Sequence, residues 1–115
     1  MRYRAPPMLS LAIAVGVLVA ACPGARRSEG LDRSTIPAAV QDDYDVFAQR
    51  CSKCHSLSRP IDSGIDDDEY WKAYVARMRR MPSSGISAGD EEVILRFLRW
   101  FSADLRAKKK PKEAG

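Results

Sequence analysis

The sequence predicts an all-α domain, and three observations carry that reading. Apolar side chains recur at three- and four-residue spacing over 44–51, 71–78 and 94–105. Two of these segments follow an Asp or Ser with an acidic residue three positions on, Asp66 with Glu69 and Ser87 with Asp90, the pattern of a capping box. No segment alternates polar and apolar residues as a half-buried strand would. With 115 residues there is room for one small domain, and three cysteines are too few for a disulfide scaffold. At 45% hydrophobic and 30% charged the chain is neither a multi-helix membrane protein nor low-complexity.

The first 21 residues have the layout of an export signal. Arg2 and Arg4 supply a positive start, and Met8 to Ala21 form an apolar run too short to span a bilayer comfortably. Val19-Ala20-Ala21-Cys22 resembles a lipobox, which implies that Cys22 becomes the lipidated first residue of the mature chain; ordinary cleavage leaving a free thiol is the alternative. Residues 22–33 are polar, contain Pro23 and two glycines, and read as a flexible tether. The domain is expected over 34–106, followed by a basic, disordered tail at 107–115. Beyond residue 21 the chain carries 17 Lys/Arg against 15 Asp/Glu, too small an excess for nucleic-acid binding. The charge is polarised along the chain: residues 31–69 hold nine acidic and four basic groups, and residues 70–115 five acidic and eleven basic. One end of the domain is therefore expected to be acidic and the other basic.

Three helices are legible. Ser34 or Thr35 can cap the first, with Pro37 in its first turn and Tyr44, Phe47, Ala48 and Cys51 on one face. The second is expected to start at Asp66 and to turn Trp71, Tyr74, Val75 and Met78 inward. The third follows Ser87 and carries Ile94, Phe97, Leu98, Phe101 and Leu105. The acidic run Asp66-Asp67-Asp68-Glu69 reads as first-turn carboxylates that complement the helix dipole, not as a catalytic cluster. Three short helices make a marginal core that needs a staple.

Cys51-Ser52-Lys53-Cys54-His55 supplies a candidate for it. Two thiols three residues apart at a helix end can reach the two vinyl groups on one porphyrin edge, and the adjacent imidazole can then take the iron. A thioredoxin-like site would need a βαβ surround, and a zinc site needs four ligands where two Cys and one His supply three. A C-x-x-C disulfide closes too small a loop to tie three helices together. A covalent c-type haem on Cys51 and Cys54 with His55 as iron ligand is the reading that remains.

At these residues the chain resembles the small monohaem cytochromes c of bacteria, over roughly Thr35 to Ser102. The likeness lies in Cys51, Cys54 and His55, in the Trp71…Met78 pattern, and in the turn leading to Ile86-Ser87 and the last helix. It implies a three-helix fold wrapped around one haem, with Phe47 packed on Phe97 or Phe101. Only 22 residues separate His55 from Met78, as in the compact forms.

His55 is the only histidine, so two imidazoles from one chain cannot flank the iron. The sixth ligand is expected from Met78, on the face of Trp71, with Met81 before Pro82 as the alternative. A backbone carbonyl near Pro60 is a candidate acceptor for the His55 ring N–H. Trp71 and Tyr74 are candidates for packing on the porphyrin or bonding a propionate, and Arg59, Arg77, Arg79 and Arg80 for pairing with propionates. The expected function is extracytoplasmic electron transfer on one haem c between redox-protein partners, without enzymatic turnover, at a bacterial membrane reached through Cys22. The competing readings are a small haem peroxidase or redox or gas sensor with an open sixth position, and a haem-free structural lipoprotein.

Overall fold

The protein is seen in a computed structural model that describes residues 30–111. A single 3₁₀ turn, Arg33–Thr35, leads into α1 (Ala38–Cys51), α2 (Ser58–Ile61), α3 (Asp68–Arg79) and α4 (Ala88–Lys109). No strand occurs among the described residues, and the all-α expectation holds for them. The expected export signal and Cys22 lie outside the described residues, as does the chain after Pro111. No described helix is long and apolar enough to cross a membrane.

Helix starts follow local hydrogen bonding, with two departures from expectation. Ser34 and Thr35 do not cap α1. The Asp32 carboxylate accepts the Ser34 N–H at 2.9 Å and its hydroxyl at 2.7 Å, which folds these residues into the 3₁₀ turn. Pro37 stands at the N-cap of α1 and offers no side-chain acceptor. The second departure is at α3, which starts one step later than Asp66 would allow. Asp67 is its N-cap, accepting the Glu69 N–H at 2.8 Å and the Tyr70 N–H at 3.3 Å. The Asp66 carboxylate is engaged elsewhere, by Lys109 Nζ at 2.9 Å.

At α4 the expected capping box is present: Asp90 N–H donates to Ser87 Oγ and Ser87 N–H to Asp90 Oδ2, both at 3.0 Å. This helix runs to Lys109, past the expected domain boundary at Arg106. Lys108 pairs with Asp104 at 2.6 Å, and Arg106, Lys108 and Lys109 sit at the negative end of the helix dipole.

The core forms where α4 packs on both α1 and α3. Phe47, Phe97 and Ile94 are fully buried, joined by Tyr44, Trp71, Val75, Leu98 and Phe101. The Phe47 and Phe97 rings lie 4.7 Å apart and Tyr44 and Phe97 5.1 Å, contacts that add stability beyond area burial. Tyr44 ties the chain start to this core, its hydroxyl accepting from Leu31 N–H at 2.8 Å and donating to Leu31 C=O at 3.0 Å. A Cβ at Gly30 would collide with that hydroxyl, so glycine is required there.

The expected separation into an acidic and a basic end does not survive folding. Arg96 on α4 grips Asp43 on α1 through two bonds of 2.8 and 3.0 Å. Arg106 on α4 comes within 3.9 Å of Asp68 on α3, and Lys109 meets Asp66. The antiparallel return of α4 brings the basic half of the sequence onto the acidic half.

Candidate functional site

α1 ends at Cys51, and the chain then turns through residues 52–55 to bring Cys54 and His55 round its C-terminus. The helix face that buries Tyr44 and Phe47 continues onto Cys51, which is therefore half-buried, and burial pushes its thiol up to about 11. Cys54 is exposed, and neither cysteine is in a disulfide.

His55 is oriented by backbone. Its Nδ1 lies 3.2 Å from the Ser56 carbonyl, and its Nε2 points the other way, 3.5 Å from the Tyr74 hydroxyl. The expected acceptor near Pro60 is not the one used: the Ser56 carbonyl faces Nδ1 instead, and the Pro60 carbonyl accepts the Ser63 hydroxyl at 2.7 Å. Tyr74 is half-buried, and burial holds its hydroxyl above the ordinary tyrosine range.

Two cavities meet at His55, Tyr74 and Met78. The smaller, of about 70 Å³, is bounded by Cys51, Cys54, Met78, Met81 and Ile86, so both thiols, the imidazole and both methionines face one apolar space. The larger, of about 310 Å³, is bounded by Pro60, Ile65, Trp71 and the guanidinium side chains of Arg59 and Arg77. Trp71 is 2% exposed, and its indole N–H has no hydrogen-bond partner. A buried donor left unmet is unfavourable, and such a group calls for an acceptor. No described helix, loop or side chain supplies one.

No protein-family model, curated protein or solved structure matches the chain.

The two methionines are presented differently. Met78 is half-buried on α3, one turn after Tyr74. Met81 follows the end of that helix and is 49% exposed. It opens a turn closed by Ser84 N–H onto the Met81 carbonyl at 3.2 Å, with Ser83 at φ 62° and Gly85 at φ 67°. Of the candidate propionate partners, Arg59 and Arg77 border the larger cavity, whereas Arg79 is engaged by Glu91. Arg77 lies over the Tyr74 ring at 5.5 Å.

Among the described residues no three His, Cys, Asp or Glu side chains gather as a metal cluster. The donor set at the cavities is instead two thiols, one imidazole and thioethers, set in apolar surroundings with guanidinium groups at one side. Such a set can hold a flat apolar group through sulfur, ligate its metal with nitrogen and sulfur, and neutralise anionic substituents. Sequence reasoning did not find the His55–Tyr74 contact or the Ser56 carbonyl. Both depend on how the chain turns after the cysteine pair, and residue type does not signal that.

Proposed function

We propose that this chain is an exported, membrane-anchored electron carrier of the c-type cytochrome class. The observation that carries the reading is the convergence of Cys51, Cys54, His55 and Met78 on one apolar cavity. Three features of the site fit a covalently held haem. The thiols open onto the same space as the imidazole, the buried Trp71 N–H lacks an acceptor, and Arg59 and Arg77 border the adjoining cavity with charge that could neutralise anionic substituents.

A haem held there would supply a one-electron ferric/ferrous couple. Cys51 and Cys54 would bind it as thioethers. The Ser56 carbonyl, facing Nδ1, would keep the imidazole turned so that Nε2, which faces the Tyr74 hydroxyl here, is the nitrogen that would ligate. Met78 would supply the thioether sulfur, a soft donor that favours the reduced state. Trp71 and the two arginines would hold the carboxylates, and Ile86 and Met81 would keep water from the thiol side. His55 nitrogen and Met78 sulfur would together hold the iron, a ligand pair that suits one-electron transfer better than substrate turnover. Cys22, as a lipidated residue, would keep the domain at a membrane while leaving it in water.

The test is expression in an exporting host with haem-maturation machinery, followed by a haem stain on a denaturing gel. The parent chain is expected to stain, Cys51→Ala and Cys54→Ala to lose most or all of the stain. A parent chain that exports and folds without staining would overturn the reading.

A further inference from the structure

The walls of the larger cavity differ in how firmly they are held. α3 supplies Trp71, Tyr74 and Arg77, and this helix is capped by Asp67 and packed along α4. Ser63 and Ile65 also border the cavity, and they belong to the irregular segment 62–67 that joins α2 to α3. At its start this segment is tied to α2: Asp62 N–H donates to the Ser58 carbonyl at 2.8 Å and Ser63 Oγ to the Pro60 carbonyl at 2.7 Å. At its end it becomes the N-cap of α3. Between these ends, among the described residues, the hydrogen bonds that reach it from elsewhere come from the last turns of α4. Lys109 Nζ donates to the Gly64 carbonyl and to Asp66 Oδ2, both at 2.9 Å. The Arg106 guanidinium donates to the Asp66 carbonyl and stands 3.9 Å from the Asp68 carboxylate. Gly64 has φ 71°, and a Cβ there would meet nothing within 4 Å, so space is open beside it.

We propose that residues 62–67 are a strap over the larger cavity, fastened by Lys109 and Arg106 and released to let a flat anionic group in beside Trp71. As the entry for haem, the strap rests on the electron-carrier reading. A rigid planar group enters a space walled by helices only where one wall can move. α3 cannot shift without breaking its packing on α4, where Trp71 and Val75 are buried. Releasing the strap breaks only the contacts of two cations that remain about half exposed, with the packing of the Ile65 side chain. Ion pairs so open to water hold weakly and are screened by salt. Ile65, partly buried against the core, supplies the apolar contact that brings the strap back after entry. The last turn of α4, beyond the expected domain end at Arg106, thereby acts on the site.

The test is hydrogen exchange on the full chain in neutral detergent, read at the Asp62, Ser63 and Ile65 amides, with 94–101 in the core as reference. Exchange in the strap is expected to quicken as salt rises from about 0.01 to about 1 M, while the core stays as it was. Lys109→Ala and Asp66→Asn should each speed strap exchange roughly fivefold at low salt, and the double variant should go no further. Lys108→Ala breaks a pair made within α4, with Asp104, and should leave the strap as in the parent. In the haem-free chain carrying Trp100→Phe, Trp71 is the one remaining tryptophan, and acrylamide should quench it more strongly in Lys109→Ala and Asp66→Asn than in Lys108→Ala. Equal effects in all three variants, or faster exchange that extends to 94–101, would reduce the contacts to general stability and overturn the proposal. Faster strap exchange with Trp71 quenching unchanged would overturn it too, because the segment would not guard the cavity. The expected exchange and quenching in a chain that never stains for haem would uphold the strap and overturn the electron-carrier reading. Haem staining with exchange indifferent to salt and to both variants would do the reverse.

Discussion

His55 Nε2 and the Tyr74 hydroxyl face each other at 3.5 Å, across the wall that the two cavities share. The nitrogen that would ligate a metal is thus met by a phenol one helical turn before Met78. The contact is long, and removing it leaves no strong bond unmade. Tyr74→Phe is expected to change the stability of the haem-free chain by no more than about 1 kcal/mol. It should leave covalent haem attachment intact, as read by urea unfolding and by a haem stain. A Phe variant that no longer attaches haem would mean that the hydroxyl has a role beyond this contact.

The two cysteines should react unequally before any group is attached. Cys51 is half-buried with its thiol pushed up from 9.0 to about 11, whereas Cys54 is exposed. At pH 8 the Cys51 thiolate is then about a hundredfold scarcer than for an unshifted thiol, and iodoacetamide should label Cys54 first, as peptide mapping would read. Stability follows the same shift. The folded chain holds the Cys51 proton more tightly than the unfolded chain, so the contribution is complete below pH 9 and is lost as pH rises toward 11. Haem-free protein should unfold at lower urea at pH 10.5 than at pH 8, and Cys51→Ser should flatten that difference.

The methionines should separate in the visible spectrum. Met78 is half-buried on the helix that also carries Trp71 and Tyr74, and Met81 is exposed in the turn that follows. Met78→Ala is expected to yield a high-spin or ligand-switched spectrum, and Met81→Ala to leave it nearly unchanged. The reverse pattern would transfer the role to Met81, which borders the same cavity.

Acid should weaken the start of α4. Hydrogen bonds from Ser87 and the nearby Arg50 guanidinium hold the Asp90 carboxyl below its ordinary value of 3.8. The folded state binds that proton less readily, so the stabilisation is complete above 3.8 and disappears as pH falls through the lowered value. Asp32 and Asp66 are lowered too and act in the same window. Asp90→Asn should melt below the parent at pH 7, and the two melting temperatures should converge by about pH 2. Ser87→Ala, which removes the reciprocal acceptor, should cost about 1 kcal/mol at neutral pH.

Those parts of the fold set by near neighbours were legible in the sequence. The Ser87–Asp90 box needs only two residues three apart, and the Phe47 and Phe97 faces follow from helical spacing alone. The start of α1 was not legible. Asp32 draws Ser34 into a separate turn, and Arg33 is held by Gln41 and Asp45 from the next helix, contacts that exist only once the chain has folded back. The short helix Ser58–Ile61 escaped notice because four residues around Pro60 leave no periodic signal. Charge pairing between the halves was hidden for the same reason, since Arg96 and Asp43 are 53 positions apart. At the candidate site, spacing marked Cys51, Cys54, His55 and Met78. The orphaned Trp71 N–H and the wall shared by His55 and Tyr74 required the tertiary arrangement.

The most direct measurement is the oxidised and reduced visible spectrum of the chain after export in a host that attaches haem. A sharp low-spin ferrous spectrum with the weak red ferric band of iron–thioether bonding is the expected result, and with it an electron carrier closed to added ligands. A high-spin spectrum that shifts with carbon monoxide or peroxide would contradict this and favour a sensor or small peroxidase. A folded, exported chain with no haem spectrum would contradict both.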